Sequence, residues 1–271
     1  MMFSVGTLCS SRSSRMIGAL SVLAWVMLSG LAVNLVGVAL VGPPRQLSGA
    51  TLGWMFVAGA GNVVGLALTY TALRHGKVGL VAPITSTEGA IAAVLAVLAG
   101  EPLGLVSAML LATIACGVML AAAAPERLPI EGERKTLAVS LASAAAVAFG
   151  VSLFATGHIS SSLTLPWVLL PPRLLGVIAV TIPLALTRRL RITRGAVVLV
   201  VAAGLSEVAG FSCYIFGARH SIAVAAVLVS QFAGISAVGA YLLFRERLTR
   251  LQLGGVAIVI VGVAALSVVR A

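Results

Sequence analysis

Apolar runs of about 20 residues follow one another through nearly the whole chain, with only a few polar residues between them. This feature decides what the backbone can do. A soluble core has no room for it: of 271 residues, 60% are hydrophobic and 9% charged, against about 45–50% and about 25% in soluble domains. The chain is therefore expected to reside in a lipid bilayer. There a segment must satisfy its own backbone hydrogen bonds, which a helix does and an open strand does not. The expected fold class is all-α, a polytopic membrane helix bundle. A net charge of +11 would point to nucleic acid in a soluble protein. Here the basic residues flank the apolar runs, where they act as orientation signals and headgroup contacts. The expected partner is the lipid bilayer, and nucleic acid is not.

Nine spans are expected, close to residues 16–41, 52–73, 78–99, 104–124, 137–157, 166–186, 196–218, 222–244 and 252–269. Residues 1–15 read as a short Ser-rich tail, with no cleavable signal peptide, because the first apolar run is too long for one. Pro125 to Lys135 is the one clearly aqueous connection, carrying three acids and three bases. Cys9, Cys116 and Cys213 show no disulfide or metal spacing and read as small apolar filler.

The chain also repeats itself. Arg74-His75 returns as Arg219-His220 (219 − 74 = 145), Glu101 before Pro102-Leu103 as Glu246 before Arg247-Leu248 (246 − 101 = 145), and Gly117 as Gly262 (262 − 117 = 145). Gly59 and Gly65 match Gly204 and Gly210 at the same offset. A gap-free echo of this length marks a duplicated unit, and the division expected is 1–124, a connecting loop at 125–136, and 137–271. Ser14-Arg15-Met16-Ile17-Gly18 aligns with Pro172-Arg173-Leu174-Leu175-Gly176. The first span then corresponds to the second helix of the second half, and the partner of 137–157 is expected upstream of Met1, missing from the chain. Units of five helices lie inverted with respect to one another, the arrangement of many secondary transporters, whose substrate site sits at the midplane between repeats.

Basic residues set the orientation. One side carries Arg12, Arg15, Arg74, Lys77, Arg127, Arg134, Lys135, Arg188, Arg189, Arg191, Arg194, Arg245, Arg247 and Arg250; the other carries Arg45, Arg219 and Arg270. The richer side is expected to be cytoplasmic, with the N-terminus inside and the C-terminus outside.

Val81-Ala82-Pro83-Ile84-Thr85-Ser86-Thr87-Glu88, an Ala-rich stretch and then Gly100-Glu101-Pro102-Leu103 resemble the EamA-type domain of the drug/metabolite transporter superfamily. Val229-Ser230-Gln231-Phe232 through Arg245-Glu246-Arg247-Leu248, with Gly254-Gly255 and Gly262-Val263, resemble a second copy. The resemblance implies ten helices in two inverted repeats that move small metabolites or drugs, by proton-coupled antiport or facilitated exchange. The second copy departs from the pattern, with Leu228 and Ala233 where the first has Pro83 and Glu88 (228 − 83 = 145; 233 − 88 = 145).

A charge at mid-membrane costs roughly 2.5–3.5 kcal/mol on insertion scales, so it faces the bundle interior or a wet cavity. Glu88 and Glu207 both fall near mid-span and are the candidate proton- or substrate-binding acids; the alternative is a structural carboxyl between helices. Asn62 stands opposite Glu207 in the repeat (207 − 62 = 145). Arg15 and Arg173, at matching helix starts, are either counter-ions to a buried acid or anionic substrate, or bases reaching to headgroups. Gln231, Ser86 and Thr87 on the signature helices offer hydrogen bonds to a ligand, or to their own backbone. Trp25, Tyr70 and Tyr214 offer rings, and Tyr70, near a segment end, equally suits an interfacial belt. Glu101 and Glu246 read as helix-end residues pairing with nearby bases. Gly61-x-x-x-Gly65 reads as a close helix contact.

The expected function is a secondary transporter, an exporter of small metabolites or drugs in the plasma membrane of a bacterium, working by alternating access with proton coupling. No Walker-type run appears, no cofactor is expected, and the scattered histidines give no metal cluster or nucleophile–base pair to suggest an enzyme. The other reading is a non-transporting membrane subunit or scaffold, to which a missing first helix would lend weight.

Overall fold

The computed structural model is helical wherever it has regular structure. The structure describes residues 2–44, 47–76, 78–122 and 134–232, with scattered positions from 251 to 265. The central loop, Glu246 and most of the last two expected spans lie outside the described residues.

Among the described residues, five helical stretches are long and apolar enough to cross a membrane: 19–41, 49–75, 136–160, 165–186 and 194–218. They match expected spans to within a few residues, because long apolar runs bounded by Gly, Pro or charge leave little freedom in where a helix starts and stops. We label the elements α1 (Met2–Ile17), α2 (Ala19–Val41), α3 (Gly49–His75), α4 (Val78–Thr85), α5 (Glu88–Leu98), α6 (Leu105–Ala122), α7 (Lys135–Ser160), α8 (Leu165–Gly176), α9 (Ile182–Leu186), α10 (Arg194–Ala218) and α11 (Ile222–Val229). A π-helical turn, Val177–Thr181, joins α8 to α9 within one span.

Three features differ from the expectation. The first concerns the N-terminus. Residues 2–17 are not a tail but helix α1, which packs along α10 and touches α2 and α3. Its hydroxyls made it look like a tail, yet most bond inward. Thr7 donates to Phe3 O at 2.9 Å, Ser13 to Cys9 O at 2.8 Å and Ser14 to Ser11 O at 3.0 Å. Back-bonding of this kind lets Ser and Thr sit buried in a helix, and Ser10, Ser11, Ser13 and Ser14 are all buried. Phe3 packs edge-on against Phe211 with centroids 5.4 Å apart, and Ser4 donates to Phe232 O at 2.9 Å. Helices α3 and α10 begin at the offset of the sequence echo (194 − 49 = 145). Among the described helices the most extensive pairing is α7 on α3, and α1 is the principal partner of α10. The expected tail at residues 1–15 is thus corrected: a polar helix lies against α10 as α7 lies against α3.

The second difference is that the expected span 78–99 is broken. A turn at Ser86-Thr87 separates α4 from α5, and a turn at Ser230-Gln231 ends α11 at the equivalent place (231 − 86 = 145). Helices α5 and α11 cross beside these breaks. A side chain on Gly89 would strike the Ala226 carbonyl oxygen and lie 2.8 Å from the Ser230 hydroxyl, so only glycine allows this crossing.

The third is the π turn, which has a local cause. Pro183 supplies no N–H, and its ring would clash with the carbonyl four residues back. The ladder slips, and Ile182 N–H reaches Val177 O instead. The span containing it is anchored to α2 by Asn34 Nδ2 to Pro166 O (3.0 Å), Trp167 Nε1 to Gly42 O (2.8 Å) and Thr181 Oγ1 to Ala24 O (3.1 Å).

Gly61 and Gly65 do serve packing: side chains there would meet Ala148 O at 2.8 Å and the Phe149 ring at 2.6 Å. Beside them, Ser152 Oγ donates to Ala58 O at 2.6 Å.

The joint between α1 and α2 is Gly18, at φ 89° and ψ 149°, backbone space that only glycine enters cheaply. Gly18→Ala is expected to cost about 1–3 kcal/mol and to lower the melting temperature of the detergent-solubilised protein, although no neighbouring atom lies within 4 Å of an added Cβ. An unchanged melting temperature would show that the joint readily adopts another backbone conformation.

Candidate functional site

A cavity of about 70 Å³ lies where α1, α3, α4, α5, α7, α10 and the end of α11 converge. It has room for a few waters and is smaller than the roughly 300–1,000 Å³ of drug-sized ligand sites. Both candidate acids line it, Glu207 from α10 and Glu88 from the first residue of α5. They are 6% and 8% exposed. Rings of Phe3, Tyr70, Phe149, Phe211 and Phe232 form much of the remaining wall.

Glu207 is paired. Its Oε1 lies 3.1 Å from Nη1 of Arg173, whose side chain is fully buried. The contact is an ion pair by distance, and neither Glu207 oxygen accepts an aligned hydrogen bond among the described residues. Nη1 also approaches Met27 Sδ at 3.8 Å, and the guanidinium carbon sits 6.0 Å from the Phe211 ring centroid. Helix α2 yields space for it: a Cβ on Gly30 would lie 2.9 Å from both Cδ and Nε of Arg173. Nε and Nη2 find no partner among the described residues. Arg173 thus stands inside the bundle on α8, and the snorkelling alternative does not describe it.

The other candidates fall elsewhere. Arg15 is exposed near the end of α1, far in chemical setting from the buried pair. Asn62 is fully buried with both amide atoms unpartnered, but it does not line the cavity. Its neighbours on α3, Gly59 and Gly61, press against Pro171 and Ser152. Gln231 sits half-buried in the turn after α11, its Nε2 unpartnered, beside cavity-lining Phe232.

Tyr70 lines the cavity instead of serving an interfacial belt. Tyr214 is committed, donating to Leu153 O at 2.6 Å, and Trp25 Nε1 donates to Arg191 O at 3.0 Å. The cavity phenylalanines were not singled out in the sequence, since a lone Phe in an apolar run looks like any other core residue.

Glu101 pairs with a helix, not with a base. It accepts from Ser221 Oγ at 2.5 Å, Ile222 N at 3.1 Å and Ala223 N at 3.3 Å, capping the N-terminus of α11 from the opposite half of the chain. A carboxylate there satisfies orphan amides and meets the positive end of the helix dipole.

The profile of the EamA-like transporter family matches residues 1–123. No curated protein matches the chain. A solved structure titled only "Crystal structure of protein" is similar with a TM-score of 0.70 and 17% identity, over 100% of this chain and 96% of that one. At that identity the likeness speaks for the fold alone.

Two outcomes follow for stability. Removing one member of a buried pair strands the other, a loss of about 3–5 kcal/mol, whereas removing both costs much less than the sum. Arg173→Met and Glu207→Leu are expected to destabilise singly and to recover in combination, read by thermal melting; additive losses would show that the two charges do not sustain each other. Glu101→Ala is expected to cost about 0.5–2 kcal/mol through loss of the α11 cap, and the same melting assay checks it.

Proposed function

We propose that this multi-pass membrane protein is a secondary transporter that exports small metabolites or drugs by alternating access, a reading supported by the match of residues 1–123 to the EamA-like transporter family. The observation that carries the reading is the cavity itself, with two buried carboxyls contributed by α5 from one half of the chain and α10 from the other. Carriers of this kind place the site between inverted repeats, on helices broken near the midplane. The 145-residue echo, the division into 1–124 and 137–271, and the paired breaks at Ser86-Thr87 and Ser230-Gln231 fit that scheme.

Proton coupling follows from the same groups. A carboxyl in a closed apolar site is cheap to bury when neutral and expensive when bare, so its proton is naturally exchanged against a ligand. The charge distribution of the loops supports a cytoplasmic N-terminus in a bacterial plasma membrane.

The test uses everted membrane vesicles carrying the full chain, challenged with organic cations, amino acids and sugars while lumenal pH is followed. Substrate-triggered proton movement is expected, and it should fall in Glu207→Gln and in Glu88→Gln. No movement of any solute or proton, with folded protein in the membrane, would overturn the transporter reading.

A further inference from the structure

The arginines that flank the spans are not spread evenly. Arg12 and Arg15 are exposed near the end of α1, and Arg188, Arg189, Arg191 and Arg194 are exposed in and beside the loop joining α9 to α10. The fold brings the two groups together. Met16 reaches the start of α10, its methyl 3.3 Å from where a Cβ on Gly195 would stand. Arg15 and Arg194 are the chain neighbours of that contact. The loop itself is held against α2, where Trp25 Nε1 donates to Arg191 O at 3.0 Å and Arg191 N donates to Ser21 Oγ at 3.2 Å.

Six guanidinium groups therefore gather at one end of the bundle. The three acids among the described residues lie elsewhere: Glu88 and Glu207 at the cavity, Glu101 beyond the far end of α10. Orientation in the membrane asks for basic residues on one side, not for basic residues against one another, and like charges brought together repel. The crowding calls for an anion.

Backbone geometry adds a second sign. Arg188 stands at φ 54°, in the left-handed region. It lies just past α9, where Arg189 N and Leu190 N both turn back to Leu184 O, at 2.9 and 3.1 Å. Glycine is the cheap residue for such a helix end. The chain places a charge there instead.

Position says what the anion is attached to. The cluster lies where α1 ends and α10 begins, at the level of the bilayer surface. Towards the middle of the span the outer faces of α1 and α10 are aliphatic, with Val5, Met16, Val198 and Leu205 all exposed. Guanidinium groups match phosphate oxygens in a bidentate fork, and an aliphatic flank beneath them accepts acyl chains. Basic pockets between membrane helices take anionic headgroups in this way.

We propose that the junction of α1, the α9–α10 loop and α10 binds an anionic phospholipid, its phosphate held between Arg15 and Arg194 and its chains laid along α1 and α10. The lipid must carry a net charge, because a choline headgroup would bring its own cation to the arginines. The site is independent of the transporter reading and needs only that the chain spans a membrane.

The experiment titrates the purified, delipidated full chain in detergent with dioleoylphosphatidylglycerol or dioleoylphosphatidylcholine and counts bound lipid by native mass spectrometry. Phosphatidylglycerol is expected to bind roughly 10-fold more tightly or better, since each basic residue near an anionic headgroup contributes about 5-fold. Arg15→Gln combined with Arg194→Gln should weaken its binding about 25-fold on the same scale and leave phosphatidylcholine unchanged. Arg134→Gln, at the entry to α7 and outside the cluster, should change neither. Glycerol 1-phosphate in large excess should not displace the lipid. The melting temperature without lipid shows whether each variant is folded. Should the double variant not fold, the comparison of the two lipids and the glycerol phosphate competition decide the matter.

Equal binding of the two lipids would show that the arginines serve orientation alone. Displacement by glycerol 1-phosphate would make a soluble phosphate the ligand. Unchanged affinity in the folded double variant, or an equal loss in Arg134→Gln, would show a diffuse field and no site. Each of these results would overturn the assignment.

Discussion

Backbone hydrogen bonding without water is the constraint on which the rest of this molecule depends. In lipid every N–H and C=O must be satisfied within the protein, so the chain is helix wherever it meets hydrocarbon. Departures from helix are tolerable only where protein surrounds them. Two of the breaks here obey that rule: Ser86-Thr87 and Ser230-Gln231 flank the crossing where Gly89 of α5 meets Ala226 and Ser230, beside the cavity. The places where the ladder fails are thus the places where polar side chains can be brought together, and Glu88 begins the helix that resumes after one of them.

Length and apolarity made most of the bundle legible from sequence. Helices α2, α3, α7 and α10 fall close to the expected spans, since nothing but a helix fits such runs. What stayed hidden was governed by tertiary partners. Helix α1 has the composition of a tail, and only its packing on α10 explains why a serine-rich segment stays helical. The break in 78–99 has no proline at the break itself and no glycine until Gly89; it reflects a crossing with α11, which no local signal announces.

The site was legible in part for the same reason. Rarity exposed Glu88 and Glu207, because an acid within an apolar run stands out. Arg173 was visible, but its partner was not: the pair joins residues 34 apart in sequence (207 − 173 = 34) on different helices. The ring wall was invisible, since phenylalanines in apolar runs carry no label. Glu101 was seen as a helix-end residue, but its true partner, the start of α11, lies 120 residues on.

The π turn at Val177–Thr181 has a consequence for how this chain can vary in length. A π turn holds one residue more than the α-turn it replaces. Deleting a single residue there would let the span close into a regular helix with its two sides kept nearly in register, whereas a deletion elsewhere in the span would turn one side by about 100° relative to the other. After a deletion between Arg173 and the turn, Thr181 and the α9 segment would point away from α2 if α8 held Arg173 in place, and Arg173 would leave Glu207 if α9 held instead. This stretch is apolar and partly exposed, so substitutions within it should be well tolerated. The count of residues beside it is another matter, because the register between Arg173 and Thr181 fixes a contact to α10 and a contact to α2 at once.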